Sequence, residues 1–164
     1  MYNFRTDLAS ERREIYQKAN DARGEIDGIT SEVEDITDKI KVEKVKIINE
    51  NGEKAIGKPI GTYITIDIKD LKIIQEKELQ QAADTITKEL KGMLNEHISQ
   101  QGEVLVVGLG NIYVTPDSLG PKVINEIEVT RHIINYMPQY VKEGTRMVSA
   151  IAPGVLGTTG IETL

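Results

Sequence analysis

Cysteine is absent from this 164-residue chain, which excludes disulfides, thiolate nucleophiles and cysteine-type zinc sites. That fits a reducing, intracellular compartment. Tryptophan is missing and phenylalanine occurs once, so a core here must rest on Ile, Val and Leu. No apolar run approaches the ~20 residues needed to span a bilayer. The opening Met1-Tyr2-Asn3-Phe4-Arg5-Thr6-Asp7 has no basic stretch leading into an apolar one, so it does not read as a secretory signal. Basic excess is lacking too. A net charge of -6 disfavours sequence-independent nucleic-acid binding, which depends on Lys and Arg neutralising phosphates. The same charge leaves a basic protein partner electrostatically reasonable.

What is present supports a folded domain. Hydrophobic residues make up 39% of the chain, enough to bury a core, and charged residues make up 28%, enough to solvate the surface. Residues 8–22 read as a short charged helix with Leu8, Ile15, Ala19 and Ala22 as its sparse apolar positions, broken around Gly24 and Gly28. The β-branched run 40–48 predicts a strand, and Thr62–Ile68 a second one with alternating faces. Between them, Asn51-Gly52 is a hairpin-type turn signal, and Gly57, Pro59 and Gly61 mark loop. The acids Glu32, Glu34, Asp35 and Asp38 read as a solvated face or loop. Over 74–98, Leu79, Ala82, Ala83, Ile86, Leu90, Met93, Leu94 and Ile98 recur at helical spacing, and Gly102 ends the pattern.

The second half reads as strand, helix, strand. Val104-Leu105-Val106-Val107 is a short apolar run, as in a strand buried on both faces of a parallel sheet. Thr115 as N-cap and Pro116 as first helical residue predict a helix running to about Met137, stopped by Pro138. Met147–Ile151 is the second apolar strand, which completes a right-handed βαβ unit. The fold class is therefore α/β with a β-rich amino-terminal elaboration. Two parallel strands are too few for a sheet covered on both faces, so the sheet is expected to be incomplete, with residues 158–164 leading into a further element.

The candidate chemistry lies on two loops at the carboxyl ends of these strands, where open α/β sheets place ligands. The first, from Gly108 to Gly120, contains Gly108, Gly110 and Asn111 and ends near Asp117. It lacks the third glycine of a dinucleotide fingerprint and the Gly-Lys-Ser/Thr of a phosphate loop. Asp117, one residue inside the expected helix, could point to the sheet edge, or could simply complement the helix dipole. The second loop carries Pro153, Gly154, Gly157, Thr158 and Thr159, whose small side chains and hydroxyls suit a wall for an extended peptide; an ordinary glycine loop has the same composition. His97 and His132 stand alone on helices with no partner at metal-ligand spacing, and no cofactor or metal is expected.

Three segments together resemble the spore germination endopeptidases. They are Arg5-Thr6-Asp7-Leu8-Ala9, then Gly57-Lys58-Pro59-Ile60-Gly61-Thr62-Tyr63-Ile64-Thr65, then the paired loops 108–121 and 152–163. The resemblance spans nearly the whole chain. It implies a partly parallel, three-layer phosphorylase/hydrolase-like sheet, as in the hydrogenase-maturation peptidases, with this chain as the amino-terminal portion of one peptidase domain. It implies a homo-oligomeric endopeptidase of the forespore or spore core (cytoplasmic) that degrades small acid-soluble DNA-binding spore proteins, without itself binding nucleic acid or membrane. Catalysis would use two aspartates. Asp117 stands where the first belongs, and the second would lie beyond Leu164, so this chain alone is expected to be inactive. The resemblance also implies a zymogen that removes its own propeptide, residues 1–7. Asp7-Leu8-Ala9 matches the family's preference for an acid, a hydrophobic residue and alanine, which puts self-cleavage between Asp7 and Leu8, although Phe4 replaces the preferred upstream acid. Two other readings are a metal-dependent maturation peptidase with Asp117 at the ion, and a non-catalytic module that grips a peptide at the Gly108 loop.

Overall fold

A computed structural model describes residues 6–20, 26–99 and 102–159. The chain divides into two compact units, residues 1–93 and 94–164.

The first unit is built on an antiparallel sheet of β1 (Ile29–Asp35), β2 (Ile40–Ile47) and β3 (Gly61–Ile68), in that order. Central β2 buries both of its faces, with Ile40 and Val42 near its start and Val45 and Ile47 near its end almost fully enclosed. On one face lie α1 (Ala9–Ala19) and α2 (Glu50–Ile56). Ala9, Ile26, Ile29, Val45, Ile47, Ala55 and Ile56 form the core there, with Tyr16 and Tyr63 packed against it. On the other face lies α3 (Glu76–His97), whose last four residues belong to the second unit. Three ion pairs hold α3 to the strands or the turn between them: Lys44–Glu89 at 2.7 Å, Lys39–Glu78 at 2.9 Å and Lys88–Glu34 at 3.4 Å.

Several expectations change. The acids Glu32, Glu34 and Asp35 do form an exposed face, as expected, but they do so on β1, an edge strand that the sequence did not signal; Glu32 sits opposite Lys44 in the ladder. Asn51-Gly52 is not a hairpin turn but lies inside α2. Asn49 caps that helix, its Oδ1 accepting from the N–H groups of Asn51 (3.0 Å) and Gly52 (3.1 Å), and Gly57 closes it in the left-handed conformation. Gly52 is needed for closeness, since a Cβ there would lie 2.4 Å from the Gly28 carbonyl oxygen. The predicted helix 8–22 forms over Ala9–Ala19, and its Ala22 and Gly24 lie outside the described residues. α3 forms; of its expected apolar stripe Ala82 is buried, alongside Thr85 and Glu89, while Leu79, Ile86 and Leu90 are exposed.

The second unit holds β4 (Val104–Val107) and β5 (Val148–Ile151), paired in parallel with Val104 opposite Val148 and Val107 opposite Ile151. The single helix expected between them is broken. A 3-10 turn (Thr115–Asp117) leads into α4 (Leu119–Glu126), a break follows, and α5 (Arg131–Tyr136) comes next. Thr130 explains the break: its N–H donates to the Val148 carbonyl (3.1 Å), and its hydroxyl accepts from the Val148 N–H (2.9 Å) and donates to the Arg146 carbonyl. A residue bound in this way to the start of β5 cannot continue the helical ladder. Pro138 opens a short 3-10 turn after α5. Among the described residues no helix is long and apolar enough to cross a membrane.

Candidate active site

The two predicted loops leave neighbouring strand ends. The Gly108 N–H donates to the Ile151 carbonyl (2.9 Å), so the parallel ladder runs to the last residue before each loop. After β5 the chain passes through Pro153 and Gly154, the latter at φ +78°, into the single-turn helix α6 (Leu156–Thr159). Gly157 and Thr158 fall within that turn, and the Thr159 hydroxyl donates to the Val155 carbonyl (3.0 Å).

The first loop is held by backbone closeness that only glycine permits. A Cβ on buried Gly108 would lie 2.4 Å from the Gly120 carbonyl oxygen, and one on Gly120 would lie 2.1 Å from that of Leu109. Strand end and α4 therefore touch backbone to backbone. Gly110 has φ +133° and likewise no room, with the Asp117 carbonyl oxygen 2.1 Å from its would-be Cβ.

Asp117 is the last residue of the 3-10 turn, not the second residue of a long helix, and Val114 rather than Thr115 takes the capping position. Its carboxylate turns back on the loop: Oδ2 accepts from the Asn111 N–H at 2.9 Å, while the Asp117 carbonyl accepts from the same N–H at 2.9 Å. The Asn111 side chain in turn accepts from the Tyr113 N–H (3.0 Å), an Asx turn that shapes the crossing. The Asp117 side chain is exposed and lines a shallow cavity of about 390 Å³ whose other walls include Val106, Leu109, Pro116, Leu119 and Val123. An acid fixed by one oxygen at the rim of an apolar hollow keeps its other oxygen for a solvent or substrate proton. His132 lies on α5 beside a separate hollow with Arg131, Asn135 and Tyr136. Among the described residues no three His, Cys, Asp or Glu side chains converge as a metal site would require.

Ser118 was not singled out in the sequence, and Gly120 was marked only as the end of the loop, not as a packing contact. Ser118 is 2% exposed and donates to the Thr115 carbonyl (2.9 Å), locking the turn that carries Asp117. Only the spacing of Gly108 and Gly120, and the hydroxyl directly after the acid, could have signalled them. At the other end of the chain, Asp7 and Leu8 are exposed just ahead of α1.

A parallel strand pair with a glycine-locked loop presenting one carboxylate defines a mixed α/β protein with a candidate hydrolytic edge. Residues 6–164 match the family described as germination protease. The chain is 47% identical over 163 residues to the germination protease of Clostridium perfringens, covering 99% of this chain and 49% of that protein. It is 46% identical to that of Clostridium tetani over 159 residues, 97% of this chain and 48% of the relative. Against that of Caldanaerobacter subterraneus subsp. tengcongensis it is 46% identical over 161 residues, 97% and 47%. The chain belongs to the germination protease family, and it spans about half the length of the curated relatives it matches.

Proposed function

We propose that this chain is the amino-terminal half of an endopeptidase that acts at spore germination, with Asp117 as one of two catalytic aspartates. The observation that carries the reading is the Asp117 carboxylate, fixed through the Asn111 N–H at the carboxyl edge of a parallel strand pair in a chain of this family. Two close carboxylates do not both ionise readily, so one keeps a proton. The ionised one takes a proton from an attacking water and the protonated one polarises the peptide carbonyl. Asp117 alone cannot play both parts. The loop of Pro153, Gly154, Gly157, Thr158 and Thr159, leaving the adjacent strand, would flank the substrate backbone together with Gly108, Gly110 and Asn111.

The finer parts of the reading extend the resemblance described from the sequence and are part of the same proposal. The substrates are small acid-soluble spore proteins, the compartment is the forespore or spore core, and the assembled enzyme is a homo-oligomer. The β4–β5 pair is a piece of a larger three-layer sheet that the rest of the polypeptide would complete. Residues 1–7 form a propeptide removed between Asp7 and Leu8.

The test joins this chain to the remaining half of the Clostridium perfringens relative. The 164-residue chain alone should not turn over a small acid-soluble spore protein, whereas the chimera should. Asp117→Asn in the chimera should abolish turnover and preserve substrate affinity. Turnover by the isolated chain, or an active Asp117→Asn chimera, would refute the assignment; binding without any turnover would favour a peptide-gripping module.

A further inference from the structure

The Asp7–Leu8 bond is exposed, but the residues just after it are not free. Asp7 has a fully exposed side chain, whereas Ala9 and Ser10 are 3% and 6% exposed. Ala9, the first residue of α1, sits in the core, and the Ser10 hydroxyl lies 3.3 Å from that of Thr65 on β3. A peptidase that reads several residues on each side of a bond needs them extended. Cutting here therefore requires the first turn of α1 to unwind and Ala9 to leave the core.

One side chain ties this junction together. Arg12 Nε donates to the Thr6 carbonyl at 2.6 Å, Nη2 lies 3.5 Å from Asp7 Oδ1, and Nη1 donates to the Gly57 carbonyl at 2.8 Å. The Arg12 side chain is itself largely buried, at 16% exposed. The guanidinium thus spans from the two residues before the bond to the carboxyl-terminal cap of α2. The backbone closes the same turn, with the Leu8 N–H donating to the Thr6 hydroxyl (3.2 Å) and the Leu8 carbonyl accepting from the Arg12 N–H (3.1 Å). The planar fork suits this task, since one rigid group meets several acceptors in different directions, the Ile56 carbonyl (3.4 Å) among them, which an ammonium does less well.

We propose that Arg12 is a latch on the Asp7–Leu8 bond: it holds Thr6 and Asp7 against the end of α2 and so limits how often the start of α1 opens for cleavage. This rests on the reading of that bond as the processing site only for its biological meaning; the protection itself is a property of the folded chain. Hydrolysis adds one water across the bond, leaving a carboxylate on Asp7 and an α-amino group on Leu8. The released segment takes with it the Thr6 and Asp7 acceptors of Arg12, so the latch acts once.

The test uses a glutamyl endopeptidase in phosphate buffer, where it cuts after aspartate as well as glutamate. Release of residues 1–7 is followed by mass spectrometry, with cleavage after Glu43 in the central strand as an internal control. Arg12→Gln should speed release about tenfold or more while cleavage after Glu43 stays unchanged, as expected when charge-assisted bonds guarding a local opening are lost. Arg12→Lys should fall between the two. Equal rates at Asp7 in wild type and Arg12→Gln, or a matching acceleration at Glu43 that reports global unfolding, would overturn the latch. Faster external cutting with Arg12→Gln, combined with self-processing of the chimera at some other bond, would uphold the latch and reject Asp7–Leu8 as the processing site.

Discussion

The Asn111 N–H is shared between two oxygens of Asp117, the backbone carbonyl and carboxylate Oδ2, each at 2.9 Å. The loop that carries the candidate acid is thus closed partly by that acid. Removing the carboxylate leaves the backbone bond in place, so the loss should be local. Asp117→Ala should raise the hydrogen-exchange rate of the Asn111 amide several-fold and lower global stability by no more than about 1 kcal/mol, because the site is exposed. Asp117→Asn keeps an acceptor oxygen and should leave exchange closer to wild type. A large fall in melting temperature for either variant would show that Asp117 holds the fold and not only the loop.

Gly108 and Gly120 should tolerate no side chain. Each Cβ would sit on a backbone oxygen, at 2.4 Å and 2.1 Å respectively, and backbone cannot rotate away as a flexible side chain can. Gly108→Ala and Gly120→Ala should each cost about 2 kcal/mol or more by denaturant unfolding. Gly144→Ala is the comparison for space: nothing lies within 4 Å of its would-be Cβ, although its φ of +83° still disfavours alanine. A neutral result at Gly120 would mean that α4 can step away from the strand end.

Asn49 is the residue that turns an apparent hairpin signal into a helix. Its side chain satisfies two of the free N–H groups at the start of α2. Asn49→Ala should cost about 1 kcal/mol and Asn49→Asp should be close to neutral. Thermal unfolding of the two variants checks this, and equal loss in both would point to the contact of Asn49 with Gly28 instead of the cap.

These cases show which parts of the fold could be read from residues alone. Strands β2 to β5 and helix α3 were legible because β-branched runs and a 3.6-residue period are local signals. The two loops were placed at the carboxyl ends of parallel strands, and the ladder does end at Gly108 and Ile151. The elements that misled depend on distant partners. Asn51-Gly52 has turn chemistry in isolation, yet a cap at Asn49 and contact with Gly28 make it helical. The continuous helix to Met137 fails because Thr130 binds the backbone at Arg146 and Val148, a competition no local pattern records. β1 was hidden because Glu32, Glu34 and Asp35 are poor strand formers, tolerated on an exposed edge where Glu32 and Asp35 lie opposite Lys44 and Lys41. Within the site, Asp117 could be picked out, but its bond to Asn111 depends on a turn geometry that spacing did not predict.

Glu89 is the most exposed to risk of the buried charges. It is 6% exposed, pairs with Lys44 at 2.7 Å, and its other oxygen, Oε1, has no hydrogen-bond partner among the described residues. Breaking such a pair from one side leaves a buried charge uncompensated. Lys44→Met should cost about 2 kcal/mol, less than for a fully buried pair because the Lys44 side chain keeps about a third of its exposure. Lys44→Met with Glu89→Leu should recover most of that loss, since an apolar pair has no desolvation to offset. A double variant no more stable than the single would mean that the ion pair fixes the placement of α3.

The same ion pairs should limit the pH range over which α3 stays attached. The hydrogen bond from Lys39, then that from the Gln75 N–H, hold the Glu78 carboxyl below the ordinary glutamate range. The folded state therefore binds this proton less readily than the unfolded chain. Its stabilising effect is complete above the ordinary glutamate value and is lost as pH falls through the lowered one. Lys39 and Lys44 are pushed the other way, first by their hydrogen bonds to Glu78 and Glu89. Their contribution is complete below the ordinary lysine value and is lost as pH rises through the raised one. Melting temperature of the first unit should thus fall at both ends of the scale, and Glu78→Gln should flatten the acid limb more than the alkaline one. An acid limb unchanged by Glu78→Gln would assign acid unfolding to other carboxylates.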